Sequence, residues 1–371
     1  MDRMYKTTYK QSMRQSNVEL LRIICMFMIV MHHFAVNVWY PGMLNVSAPS
    51  SIDEAVALFS HGLFFIGVNC FILISGYFGI KTSLRSFLHL YGFYAFYAFL
   101  IALNQYFGDA SNMAFMPISE KCFHIAVHSL MPWENNDFWF LNAYLALFMM
   151  APLLNVAVTN MTKSAYTRVL VLLTILNVVF GNLLGIDLLN TWGFSVAQFV
   201  YVYMIGGYLY KYFPINRIEN CRWQGLGLYV ASAVLWGGIV AVQVYRFPFL
   251  GRFFKAFSYN NVFILAAAIG FFLFMLSFDI KNRVINWLSS SCLAAYLLQG
   301  SVLPYNWYIE TMGVPDPMAK LCLLPLVSIL FLIVSLLFDK IRVLVAWPFS
   351  SLMSICTSTI QGGINNLYEK I

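Results

Sequence analysis

Glu19-Leu20-Leu21-Arg22-Ile23-Ile24-Cys25-Met26-Phe27-Met28-Ile29-Val30-Met31-His32-His33 opens the first long apolar run of the chain. Arg22 and His33 stand eleven residues apart in it. At ~100° per residue that separation is about three turns, so in a helix both side chains share one face, roughly 16 Å apart along the axis. Glu19 joins the same stripe. Ionisable groups are costly inside a bilayer and are kept where they face a protein interior or a water-filled path. A membrane helix with a functional face is the reading this stretch imposes.

The rest of the chain agrees. Of its 371 residues 61% are hydrophobic and only 10% charged, and the mean hydropathy is +0.73, which excludes an ordinary soluble domain. A bilayer core of ~30 Å takes about 20 residues of helix. Ten runs approach that length: 18–38, 57–79, 86–107, 138–158, 168–186, 194–212, 223–245, 259–278, 287–309 and 319–339. The weakest are 168–186, which holds Asn177 and Asn182, and 287–309, interrupted by Gly300 and Pro304. The expected fold is therefore an all-α polytopic transmembrane bundle of about ten spans. Its divisions are a basic arm at 1–16, a membrane domain at 17–340 and a tail at 341–371.

Basic residues near span ends set the orientation. With both termini cytoplasmic, sixteen of the 22 Lys and Arg lie inside and five outside, with Arg22 at the inner end of the first span. Arg246, Arg252 and Lys255 form the one outer loop that runs against the rule. The first run carries Arg22 and two histidines and is followed by no small-residue cleavage site, so it reads as a retained signal anchor. The net charge of +7 fits the inside bias and anionic headgroups, not nucleic acid. The outer loops at 39–56 and 108–137 are too short for a separate domain.

Seven cysteines show no CxxC spacing and read as packing residues. His124 and His128 are four apart in the loop at 108–137, but without a third ligand they do not make a metal site. No metal is expected.

Glu19-x-x-Arg22 followed by ten residues and His33 resembles the first-helix signature of the acyltransferase 3 family of integral membrane acyltransferases. Gly67-Val68-Asn69-Cys70-Phe71-Ile72-Leu73-Ile74-Ser75-Gly76-Tyr77 resembles its second-helix segment. Phe138-Trp139-Phe140-Leu141 with Pro152-Leu153-Leu154 resembles its Trp-Phe-Leu helix. The likeness runs from Asn17 to Asp339. Asn69 stands where an acidic residue is common in the family, and Gln299 where the last helices often carry His. The resemblance implies an acyl-CoA donor, acetyl-CoA above all, and a hydroxyl of a cell-surface polysaccharide or its lipid-linked precursor as acceptor. It also implies a multi-pass bacterial plasma (inner) membrane protein, with membrane lipids and the glycan as partners.

The residues suit such chemistry. Arg22, with Lys81 and Arg85, would hold the nucleotide phosphates at the inner mouth, where a guanidinium grips phosphate bidentately. His33, deeper, would take the proton of the acceptor hydroxyl or carry the acyl group briefly, with Glu19 and burial pulling its basicity in opposite directions. Trp139 and Ser75 are candidates for the substrate pocket. Plainer readings stand beside these. Arg22 is equally a snorkelling anchor, Glu19–Arg22 a helical ion pair, His33 a core histidine, Trp139 a belt residue and Ser75-Gly76 a packing point. His32 points about 100° from His33 and would take its place after a modest helix distortion. The rival class is a transporter of polysaccharide or lipid-linked sugar. Such proteins are built from repeats and broken helices; the chain shows no repeat, and its intramembrane polar residues gather in the first two spans.

Overall fold

The computed structural model describes residues 15–36, 59, 61–108, 115–131, 138–186, 188, 192–214, 218, 220, 222–245, 257–299 and 322–345. The basic arm up to residue 14, the loop at 39–56, Arg246, Arg252, Lys255, Pro304 and the tail beyond residue 345 fall outside them; the first residues of the expected tail, through Val345, continue the last helix. Every element among the described residues is helical: α1 (Ser16–Phe34), α2 (Gly67–Phe78, continued upstream to His61), α3 (Leu84–Phe107), α4 (Ile118–Leu130), α5 (Trp139–Asn160) and α6 (Lys163–Thr174) come first. The π-helical segment Ile175–Leu183 prolongs α6, and α7 (Val196–Tyr212), α8 (Arg222–Tyr245), α9 (Val262–Leu276), α10 (Arg283–Ser289), α11 (Cys292–Gln299) and α12 (Cys322–Val345) follow. Among the described residues seven stretches are long and apolar enough to cross a membrane. They correspond to the expected runs except 194–212 and 259–278, where the helices are shorter, and 287–309, of which residues 287–299 are described. The chain is an all-α polytopic bundle.

Side chains that rival the backbone for hydrogen bonds mark the helix starts. Ser83, Thr162, Ser195 and Asn261 accept from backbone N–H groups at the starts of α3, α6, α7 and α9, and Asn282 does so twice at α10. In the described part of the expected span at 287–309, up to residue 299, the helix is broken between Ser289 and Cys292. Ser290 Oγ turns back to the Trp287 carbonyl and Ser291 Oγ leaves for Asp339, so local hydroxyl bonding replaces a helical turn at the break. The Asn-containing run widens into the π segment, with Asn177 and Asn182 fully buried and the Asn177 carbonyl accepting from Asn260 Nδ2 at 2.8 Å.

Close helix crossings place the site. α2 runs antiparallel to α1: His61 lies by His32 and Gly67 against Cys25 and Ile29, so the far end of α2 lies towards the start of α1. α2 then crosses α7 glycine to backbone. A Cβ on Gly76 would fall 2.1 Å from the Tyr203 oxygen, and one on Gly206 2.5 Å from the Leu73 oxygen. Both positions are helical, so it is contact rather than dihedral freedom that demands glycine, the small-residue logic of membrane interfaces.

Gly92, on α3, has nothing within 4 Å of its would-be Cβ and is the natural control. Gly76→Ala is expected to lose about 1–3 kcal/mol, as overpacked cores do. Gly92→Ala is expected to gain up to ~1 kcal/mol from helix propensity. Thermal unfolding in detergent compares the two, and equal melting of both variants would remove the tight crossing from this account.

Candidate active site

His33 sits in the last turn of α1, half-buried, where the helix loosens into a π turn at 35–36. Its Nδ1 is bonded to Oε1 of Gln299, the last residue of α11. An amide oxygen only accepts, so Nδ1 carries the hydrogen and Nε2 keeps the lone pair. The imidazole is thus held through Nδ1 by an amide whose own nitrogen is buried and has no partner among the described residues.

His33 lines a narrow, mostly apolar cavity with Phe71, Trp139, Phe140, Tyr259 and Tyr296, and with Ile29 and Met26 one and two turns back on α1. Its free volume of about 20 Å³ holds roughly one water. A thioester arm enters only if these side chains move apart.

Tyr259 belongs to a buried turn before α9, at the depth of the bundle rather than its surface. Such irregular backbone is tolerated in a membrane only when protein satisfies it. Asn69 Nδ2 and Gln198 Nε2 donate to the Tyr259 carbonyl at 2.9 and 3.0 Å, and the two amides are themselves 3.3 Å apart. Phe65 stacks on the Tyr259 ring at 4.5 Å. Trp192 and Gly193, with φ of 57° and 81°, form the left-handed turn that packs behind it, and the Trp192 carbonyl accepts from the Tyr259 N–H at 3.1 Å. Asn69, the position where the family commonly has an acid, thus acts as an amide donor. A carboxylate there could not donate to that carbonyl.

Beside His33, 5.2 Å away ring to ring, stands His32, whose Nδ1 meets Nε2 of His61 at 2.8 Å. The far nitrogen of His61 has no partner among the described residues. His61 is the residue that sequence reasoning passed over, although a lone histidine at the head of the second apolar run is the same kind of signal as His33. Gln299 was noticeable only as a departure from a family pattern.

The other candidates lie elsewhere. Glu19, 5% exposed, receives Arg22 at 2.9 and 3.0 Å and the hydroxyl of Ser289. It is fourteen residues from His33, ~21 Å along the helix, so its contacts are with Arg22 and Ser289 rather than with the imidazole. Lys81 and Arg85 are exposed around the start of α3, the end of the bundle to which Arg22 also belongs. Ser75 does not line the cavity. Its hydroxyl bonds the Phe71 carbonyl at 3.0 Å and the Tyr144 hydroxyl at 3.3 Å, one turn below. Trp139 does line it, 5.6 Å from the Tyr259 ring. His124 and His128 are on α4 against Tyr106, and no group of three His, Cys, Asp or Glu able to hold a metal occurs among the described residues.

A helical membrane bundle has, then, an imidazole bonded to an amide at an aromatic-lined cavity and a basic end some 16 Å below it by helix geometry. The chain belongs to the acyltransferase 3 family: that family's acyltransferase domain matches residues 15–340. No curated protein and no solved structure matches the chain.

Gln299→Leu removes the acceptor from His33 Nδ1, and with it a bond of ~1–3 kcal/mol. Acyl turnover is expected to slow by about 5- to 150-fold. Gln299→Glu, which still accepts from Nδ1, is expected to retain more activity than the leucine variant. Equal rates for both would mean that the amide does not hold the imidazole.

Proposed function

We propose that this membrane acyltransferase moves an acyl group, acetyl in the first instance, from cytoplasmic acyl-CoA to a hydroxyl of a cell-surface polysaccharide or its lipid-linked precursor at the bacterial plasma membrane. The observation that carries the reading is the His33–Gln299 bond at the wall of the cavity shared with Trp139. In the neutral ring that bond leaves Nε2 with a lone pair, on a side chain that lines a narrow, mostly apolar cavity.

In the proposed step Nε2 takes the proton of the acceptor O–H as that oxygen attacks the thioester carbonyl. The C–S bond then breaks, and the imidazolium returns the proton to the departing thiolate. Gln299 accepts from Nδ1–H throughout and steadies the charged ring. The phosphates of the donor fall to Arg22, Lys81 and Arg85. Glu19 orients Arg22 through the ion pair, and the aromatic rings of Trp139 and Tyr259 offer a face to a sugar.

Purified protein with labelled acetyl-CoA and a glycan acceptor tests the reading directly. His33→Ala should lose 10²–10⁴-fold in turnover, about what general-base loss costs, and keep its affinity for acyl-CoA. An active His33→Ala enzyme would overturn the assignment.

Arg22→Ala should do the reverse, weakening acyl-CoA binding by ~1.5–3 kcal/mol, the value of a charge-assisted contact. Lysine there should rescue only in part, because it lacks the bidentate fork. Unchanged binding in calorimetry would remove Arg22 from the donor site.

A further inference from the structure

The segment between α3 and α5 reads in sequence as an outer loop, yet it contains α4, packed lengthwise on α3. The start of α4 lies by the end of α3, with Lys121 Nζ 5.2 Å from the Phe107 ring. Its end lies by Tyr91, whose hydroxyl donates to the Leu130 carbonyl. Phe107 and Tyr91 are sixteen residues apart, ~24 Å of helix. Since α3 is a membrane-crossing helix, α4 descends antiparallel to it from the boundary towards its middle. α5 starts at that depth: Phe138, its N-cap, is 1% exposed and meets the Tyr94 ring edge-on at 5.2 Å.

The polarity of α4 is the inverse of a water-facing helix. Lys121 and Ser129 are buried against α3, and His124 and His128 are half-buried over Tyr106, whose hydroxyl lies 3.3 Å from His128 Nε2. Outward, beyond Ile118, Ser119 and Glu120 in the first turn, the exposed positions of the helix are Cys122, Phe123, Ala126 and Leu130, with Phe123 65% and Leu130 59% exposed. A helix at a water boundary turns its polar side out. Only an apolar solvent favours this arrangement, polar groups kept on protein and apolar ones outside.

We infer that α4 is a re-entrant helix, entering the bilayer through the leaflet where α3 ends, with its Cys122–Phe123–Ala126–Leu130 face covered by lipid acyl chains. Its descent is what lets α5 begin inside the membrane, and so sets Trp139 beside His33 rather than at the headgroups.

The test uses the full-length chain with Cys122, Cys221, Cys322 and Cys356 replaced by Ser. One nitroxide is carried at Ile118→Cys, Ala126→Cys or Leu130→Cys, and the protein is reconstituted in phosphatidylcholine vesicles. Oxygen, which concentrates among acyl chains, and a polar nickel chelate compete as collision partners. The expected result is an oxygen-to-nickel ratio that rises from 118 through 126 to 130. Dominant nickel collision at 130 would mean water covers the face, and low collision with both would mean another protein does; either overturns the inference. Should the variants fail to fold, the unaltered protein in vesicles containing a phospholipid with a photoreactive acyl chain gives the same answer. Labelling of the peptide spanning 122–130 is expected, and its absence, with other spans labelled, overturns it.

Discussion

Inside a membrane a polar side chain has no water to fall back on, so each one must find a partner on protein. α1 shows how much of the bundle follows from that rule. Asn17 donates to the Met275 and Leu276 carbonyls at the end of α9, at 3.2 and 3.3 Å. Ser16 exchanges hydrogen bonds with the Asn282 backbone, Glu19 receives Ser289 from α10, His32 meets His61 ahead of α2, and His33 meets Gln299 on α11. Through these bonds the polar residues of one helix fix where four other elements, α2, α9, α10 and α11, sit against it. A substitution in this stripe disturbs packing and function together, and for that reason binding and turnover have to be measured separately.

α11 is held from its other end as well. Asp339 on α12 is fully buried and accepts from Tyr97 on α3 at 2.8 Å, from Ser291 just before α11 at 2.6 Å, and from Arg342. Arg342 lies in turn over the Phe93 ring at 4.4 Å. Replacing such a pair with apolar residues is often harmless, whereas removing one partner leaves a buried charge. Its contribution here is positional: it ties α3, α11 and α12 together at the foot of the short helix whose last residue braces His33.

The second wall of the site depends on contact distance rather than on hydrogen bonds. The Gly76–Tyr203 and Gly206–Leu73 approaches bring α2 and α7 close enough for Asn69 and Gln198 to reach the same carbonyl, that of Tyr259. Through Tyr259 they set the floor of the cavity. Two glycines thereby act at a distance on the shape of a pocket they do not touch.

The sequence by itself determined the class of fold, because apolar runs of spanning length admit no other structure in a bilayer, and it marked His33, Arg22 and Glu19, because ionisable groups in such a run need a reason to be there. It also signalled the tight packing at Gly76 and the weakness of the run at 168–186, part of which is a π segment. What it could not supply was partnership across the chain. Gln299 is 266 residues from His33, and His61 is 29 from His32. Nothing local distinguishes an amide that braces an imidazole from one that faces lipid. Likewise the segment around α4 looks like a loop, since its polar residues are read as facing water; only their burial against α3 shows that the polarity is turned inward. Periodicity is a local property and is written along the chain, whereas the pairing of buried polar groups is settled when the helices meet.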